Sequence, residues 1–130
     1  MENKFSLEFS FSQEDVNAFA AVTGDNNPIH LDEAYAAQTI FKRRIVHGML
    51  GASVLSKIFG TRYPGEGTIY LKQNLTFLSP MYTDIVYTAF VEVVEVISEK
   101  ARARVRTHIS DASGTIVIDG EALIKNKIYG

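Results

Sequence analysis

The chain has 130 residues, which suits one domain spanning residues 1–130 with a core that needs no covalent cross-links. Its 13 basic and 15 acidic residues leave a net charge of −2, so we expect no nucleic-acid partner and no binding to an anionic membrane. The absence of cysteine excludes disulfides and thiolate chemistry. No apolar run approaches the roughly 18–20 residues of a membrane span, and no cleavable leader is evident, so we expect a cytoplasmic protein.

The first segment alternates aromatic or aliphatic residues with polar ones over residues 5–11, which predicts a half-buried strand. Ser12 stands before three polar residues in the position of a helix cap, and apolar residues then recur at helical spacing. We therefore predict a short helix over residues 13–22. The acidic and alanine-rich stretch after Asp32 predicts one or two further helical turns.

Residues 23–30 read Thr-Gly-Asp-Asn-Asn-Pro-Ile-His and hold the most informative pair of side chains, Asp25 and His30. Pro28 fixes its own φ and disfavours the α region in the preceding residue, which predicts a loop rather than a helix. Gly24 permits left-handed backbone angles, so the chain can fold back on itself. The segment can therefore bring the carboxylate and the imidazole to one point.

A carboxylate and an imidazole at one point can share a water molecule, one accepting its proton while the other orients it or donates. This pattern indicates hydration or hydrolysis. The same residues are also typical of a solvated turn, in which His30 merely leads into a helix capped by Asp32.

The stretch from Ile45 to Phe59 is predicted to be a second helix, apolar on nearly all sides and therefore buried. If the helix opens at His47 and Gly48, the unpaired amides of its first turn can bind an oxyanion or a carbonyl oxygen. A glycine required only for close helix packing is the alternative explanation. Four segments of period two follow, beginning near Ile69, Ile85, Ala101 and Ile116. We predict an α+β fold in which a curved antiparallel sheet wraps around the buried helix.

Several of these motifs resemble the (R)-specific enoyl-CoA hydratases of the MaoC-like, hot-dog-fold family. The resemblance begins with Phe19-Ala-Ala-Val-Thr-Gly-Asp-Asn-Asn-Pro-Ile-His30 and includes Ala36. It continues through Ile45-Val-His-Gly-Met-Leu50, Ser56 and Pro64-Gly-Glu-Gly-Thr-Ile-Tyr70, so it covers most of the chain. Arg44 is a departure, since relatives often carry proline there.

The resemblance implies that Asp25 and His30 are catalytic and that the Gly48 amide contacts the thioester oxygen. It also implies that Ser56 lies beside the site, and we assign Asn27 and His47 to substrate binding. The expected reaction is reversible hydration of a trans-2-enoyl-CoA to the (R)-3-hydroxyacyl-CoA, a step of fatty acid metabolism. No cofactor is expected beyond the coenzyme A of the substrate. A homodimer with two sheets joined edge to edge, or a dimer of dimers, is also implied.

Other residues are weaker candidates for contacting the substrate. Lys42 and Arg43 could meet the phosphates of coenzyme A, and Gln73 could touch the pocket or be a hydrogen-bonded core side chain. The alternating basic residues of 102–108 are better explained by pairing with acidic residues on a solvated sheet face. We predict no metal site, because the histidines lack the i, i+4 spacing of helical zinc ligands.

Two other functions use the same fold. An acyl-CoA thioesterase would direct water at the thioester carbonyl instead of the double bond. A non-catalytic acyl-binding subunit of a dehydratase complex would need neither Asp25 nor His30, so the presence of both residues argues against it.

Overall fold

The computed structural model describes residues 2–130. Along the chain its elements are β1 (Lys4–Phe9), α1 (Gln13–Thr23), α2 (Pro28–Leu31), α3 (Glu33–Ala37), α4 (Gly48–Thr61), β2 (Ile69–Phe77), β3 (Tyr87–Ile97), β4 (Arg102–Ser110) and β5 (Ile116–Lys125). A single 3₁₀ turn lies between β3 and β4 at Ser98–Lys100, and another follows β5 at Lys127–Tyr129. The predicted order of one strand, short helices, a buried helix and four strands is confirmed.

The strands form one antiparallel sheet in the order β1-β3-β4-β5-β2. The short turns after β3 and β4 place the neighbours in sequence side by side, as hairpins require. Strands β1 and β2 are the two edges. The predicted antiparallel sheet is therefore confirmed.

Helix α4 supplies the centre of the core. Its buried side chains are Leu50, Val54, Leu55, Ile58 and Phe59, together with the small Gly51 and Ala52. They pack against the inner sheet face, where Ala89, Val91, Ala103, Val105, Ile109, Ile118, Ala122 and Ile124 are buried. Gly51 permits this approach, since a Cβ there would lie 2.5 Å from the sulfur of Met81.

One local prediction was wrong. Residues Pro28–Leu31 form a helical turn rather than loop, because Pro28 sits at the first helical position, where its missing N–H costs nothing. Helix α4 begins at Gly48, so the opening expected at His47 and Gly48 is confirmed, whereas Ile45 at the start of the apolar stretch lies outside the helix and forms a bridge with Tyr82.

Strand β2 also departs from simple alternation. Its register with β5 shifts between Tyr70 and Lys72, so Leu71 occupies a β-bulge. The bulge places Tyr70 and Gln73 on the same side as Leu75, and all three line a groove against α4.

The outer sheet face carries the expected charge pairs. The Arg104 guanidinium lies 2.6 Å from Glu95 and 2.9 Å from Glu121. Arg106 stands opposite Glu121 in the register, and His108 opposite Asp119. In residues 2–130 no helix has the length and apolar character needed to cross a bilayer.

Candidate functional site

Helix α1 lies directly before the site in the chain and ends in a sharp turn. It starts with a capping box in which Ser12 and Asp15 each bond the other's backbone N–H. It ends at Gly24, whose φ of 81° is left-handed and whose N–H bonds the Ala20 carbonyl at 2.8 Å. The chain turns sharply here, and Asp25 is the next residue.

The short helix α2 places His30. The side chain of Asn27 caps this helix by accepting from the Ile29 N–H at 3.2 Å. His30 then lies on the inner side of the single turn and is only 9% exposed. A further constraint comes from Gln13, whose side-chain amide donates to the His30 carbonyl oxygen at 2.8 Å.

One hydrogen bond selects the tautomer of His30. Its Nδ1 lies 2.8 Å from the Ile45 carbonyl oxygen, which can only accept, so the proton sits on Nδ1 and Nε2 keeps a free lone pair. Burial lowers the pKa of His30 below its ordinary 6.5, and the neighbouring His47 lowers this pKa further. The bond to Ile45 and the charge of Asp25 act in the opposite direction without reversing the shift. His30 therefore presents an unprotonated nitrogen near neutral pH.

His47 and Gly48 form the start of α4. The His47 backbone caps the helix, but its side chain makes no hydrogen bond to the first turn. Its Nε2 instead lies 2.9 Å from the Asp25 carbonyl oxygen, and its ring stacks on that of His30 with 3.8 Å between centroids. The first turn of a helix has no intrahelical acceptor for its N–H groups, so the Gly48 amide remains available as a donor.

These groups face one cavity of about 510 Å³ between α4 and the end of β2. Polar groups enter from Asp25, His30 and the start of α4, and the remaining wall is largely apolar. Apolar lining residues are Phe41, Ile45, Val46, Met49, Phe77, Leu78, Met81 and Ile118. An apolar pocket with a few convergent polar groups is the usual form of a small-molecule site.

The ligand atoms of Asp25, His30 and His47 lie within 4.8 Å of one another, as a metal site would require. However, the two imidazoles are stacked with their planes only 24° apart. Lone pairs lie in the ring planes, so these two nitrogens do not point at a shared ion at a bond length of about 2.1 Å. The arrangement suits a bound water better than a metal.

Ser56 and Gln73 line a second groove of about 350 Å³, also between α4 and β2. Gln73 donates to the hydroxyl of Thr107 at 3.0 Å, and its side-chain oxygen accepts from Tyr70. Burial raises the pKa of Tyr70 to about 12, so this hydroxyl stays protonated. Met49 lines both the groove and the cavity, which makes the two neighbours.

The other predicted binding residues lie at the margin. Lys42 and Arg43 follow the cavity-lining Phe41 and do not line the cavity themselves. The Arg43 guanidinium sits 4.1 Å above the ring of Tyr82. The Asn27 side chain points at the α2 backbone, where it acts as a cap.

Sequence reasoning missed the residues that hold this site together. The Ile45 carbonyl and the side chain of Gln13 each fix His30, but backbone acceptors carry no sequence signal. Phe77 was not among the predicted site residues, yet its ring lies against Gly48, where an added Cβ would be 2.7 Å away. The one sequence signal for this contact was a large aromatic residue at the end of a predicted strand.

Comparison with known proteins identifies the family. The model of the MaoC-like domain matches residues 1–114. The chain belongs to the MaoC-like domain family. Its Asp25 and His30 lie in the matched region, as does the start of α4.

Over most of its length the MaoC-like chain is similar to proteins named as a hydratase and a dehydratase. It is 44% identical over 122 residues to the (R)-specific enoyl-CoA hydratase of Aeromonas caviae, covering 94% of this chain and 91% of that protein. It is 44% identical over 119 residues to the 3-hydroxybutyryl-CoA dehydratase of Methylorubrum extorquens, covering 92% of this chain and 75% of that protein.

A solved structure gives the same result. The (R)-hydratase structure from A. caviae superposes with a TM-score of 0.92 at 44% identity, covering 95% of this chain and 94% of that one. The sheet wrapped around α4 is thus the hot-dog fold that the sequence predicted.

Proposed function

We propose that this protein is an (R)-specific enoyl-CoA hydratase, adding water reversibly to a trans-2-enoyl-CoA to give the (R)-3-hydroxyacyl-CoA. The proposal rests on one arrangement. An apolar cavity holds the carboxylate of Asp25, the unprotonated Nε2 of His30 and the first amide of α4. Identities of 44% to hydratases and dehydratases over more than nine-tenths of the chain support it.

The tautomer of His30 suggests how water is held. Nε2 and the Asp25 carboxylate are both acceptors, so each can accept one O–H of a single water molecule. The water lone pair then faces the β-carbon of the enoyl group. Asp25 takes the proton as the C–O bond forms, while His30 keeps the water oriented.

The reaction also requires stabilisation of negative charge on the thioester oxygen. As the β-carbon is attacked, negative charge moves to the thioester oxygen, and the Gly48 N–H at the positive end of α4 donates to it. The α-carbon then takes up the proton. His30 has no proton on Nε2 at the start, so this proton is the one that the water gave up. One O–H bond and the π bond of the enoyl C=C break, and one C–O and one C–H bond form.

We also propose a cytoplasmic homodimer, alone or as a dimer of dimers, that uses no cofactor beyond its thioester substrate. Strand β2 is a sheet edge on which Ile69 and Phe77 are 54% and 50% exposed. An open apolar edge of this kind favours pairing with a second copy. Analytical ultracentrifugation should give twice the chain mass of 14.4 kDa for the dimer, or four times that mass for the dimer of dimers. A monomer would contradict this part of the proposal.

The catalytic proposal is tested by incubating the purified protein with crotonyl-CoA. Hydration removes the conjugated ultraviolet band without releasing free thiol, and chiral chromatography should show the (R)-3-hydroxy product. Release of thiol would identify a thioesterase instead. No change in either signal would favour a non-catalytic subunit.

A further inference from the structure

His47 is the most deeply buried imidazole of the site, with 2% of its surface exposed. It contacts three separate parts of the protein. Nε2 meets the backbone of Asp25 at 2.9 Å, one ring face stacks on His30, and the ring of Phe19 lies 4.8 Å away, centroid to centroid. A polar side chain is rarely buried to this extent without a defined partner.

We propose that His47 is a positioning residue that holds the catalytic carboxylate in place by donating its Nε2–H to the Asp25 carbonyl oxygen. This inference rests on the proposed hydratase function. In this role His47 acts through the backbone of residue 25 and through the face of the His30 ring.

The loop at residues 24–27 otherwise depends on very local bonds. The Asp25 N–H bonds the Thr23 hydroxyl at 3.1 Å, and the Asn26 N–H bonds the Gly24 carbonyl at 3.0 Å. The Asn27 N–H reaches the Asp25 carboxylate at a long 3.4 Å. Among residues 2–130, the hydrogen bond from His47 is the one that ties this loop to a part of the chain distant in sequence.

The same bond determines which nitrogen of His47 carries the proton. A carbonyl oxygen can only accept, so the proton is on Nε2 and Nδ1 is left with a lone pair. Nδ1 is buried and meets no hydrogen-bond partner in the described residues. His30 has the opposite tautomer, with its proton on Nδ1. The two stacked rings are therefore distinguishable by their protonated nitrogens.

The consequence for catalysis is geometric. Asp25 is exposed on a short loop, and its carboxylate must stay beside His30 and the Gly48 amide. A misplacement of about 1 Å can cost on the order of 100-fold in rate. Because the His47 backbone is the N-cap of α4 while its side chain bonds Asp25, this one residue links the loop with the carboxylate to the helix that carries the oxyanion donor.

The test compares His47→Phe with His47→Gln. Phenylalanine keeps a ring against Phe19 and His30 but has no donor, whereas glutamine can place an N–H near the position of Nε2. We expect His47→Phe to lower kcat about 10- to 100-fold with KM changed less than about threefold. His47→Gln should recover most of kcat. Equal losses in both variants, or a His47→Phe enzyme within about twofold of the parent, would overturn the proposal.

The third histidine provides a matched control. His108 lies on the outer sheet face, stacked on Phe90 with 4.8 Å between centroids, and takes no part in the site. His108→Phe should leave kcat and KM unchanged. Thermal unfolding of all three variants then separates loss of the hydrogen bond from loss of the fold.

A measurement on the unmodified protein keeps the proposal falsifiable if His47→Phe does not fold. Nitrogen-15 NMR of the three histidine side chains should show a protonated Nε2 at His47 and a protonated Nδ1 at His30. A protonated Nδ1 at His47 would overturn the proposal, because the bond to Asp25 could not form. This result is independent of turnover, so failure of the positioning role is distinguishable from failure of the hydratase assignment.

Discussion

The rings of His30 and His47 lie face to face, with 3.8 Å between centroids and 24° between planes. Adding a proton to His30 would place a buried positive charge against a second imidazole. Burial is the larger cause of the lowered pKa of His30, and His47 adds to it. The fold thus keeps the His30 Nε2 free to accept a hydrogen bond from water.

This pKa shift has a defined effect on the pH dependence of activity. Only neutral His30 has a free Nε2, so activity is lost as pH falls through a folded-state pKa that lies below 6.5. The groups facing His30 are His47, which lowers this pKa, and the Asp25 carboxylate, which raises it. We expect the acid limb of kcat/KM to be half-complete below pH 6.5, and NMR titration of His30 to agree. A His30 midpoint at or above the ordinary value would contradict this reading.

The start of α4 gives a second prediction. A Cβ on Gly48 would lie 2.7 Å from the ring of Phe77 and would enter the cavity beside the proposed oxyanion donor. We expect Gly48→Ala to lower kcat/KM by about 10- to 1,000-fold while the unfolding temperature changes little. Adding Phe77→Leu should relieve the contact and restore part of the activity. Full activity in Gly48→Ala would show that the substrate does not approach this amide closely.

Gly120 offers a test of the fold itself. A Cβ there would lie 2.0 Å from the Asn74 carbonyl oxygen, and backbone in a paired strand cannot move aside. We expect Gly120→Ala to lower the free energy of unfolding by about 1–3 kcal/mol, measured by urea denaturation. Gly60 is the control, since a Cβ there meets nothing within 4 Å inside helix α4. Gly60→Ala should raise the free energy of unfolding by up to about 1 kcal/mol. Equal effects at both positions would contradict the strand register.

Much of the fold follows from periodicity. The alternating segments became β1 to β5, and the apolar stretch after His47 became α4. The β-bulge at Leu71 was not predictable, because an extra residue in one strand shows only when the partner strand is known. The helical turn at Pro28 was missed for a specific reason. Proline keeps the preceding residue, Asn27, out of the α region, and this restriction was applied to the whole segment, although proline itself suits the first position of a helix.

The site was predictable in its chemistry and less so in its supports. Asp25 and His30 line one cavity, as the backbone constraints within residues 23–30 suggested, and Gly48 lines it with them. The acceptor that selects the His30 tautomer is the Ile45 carbonyl, 15 residues away, and long-range backbone contacts leave no trace in side-chain patterns. The roles of these three residues in turnover remain predictions to be tested by substitution.

The central claim is that the Asp25 carboxylate accepts the proton of the attacking water, and Asp25→Asn tests it most directly. Asparagine preserves shape but cannot accept this proton, so hydration of crotonyl-CoA should fall about 10²- to 10⁴-fold with the unfolding temperature unchanged. Asp32→Asn is the matched control, because asparagine can still cap α3 where the Asp32 carboxylate accepts from the Tyr35 N–H at 3.0 Å. A folded Asp25→Asn protein that hydrates the substrate at nearly the parent rate would contradict the account.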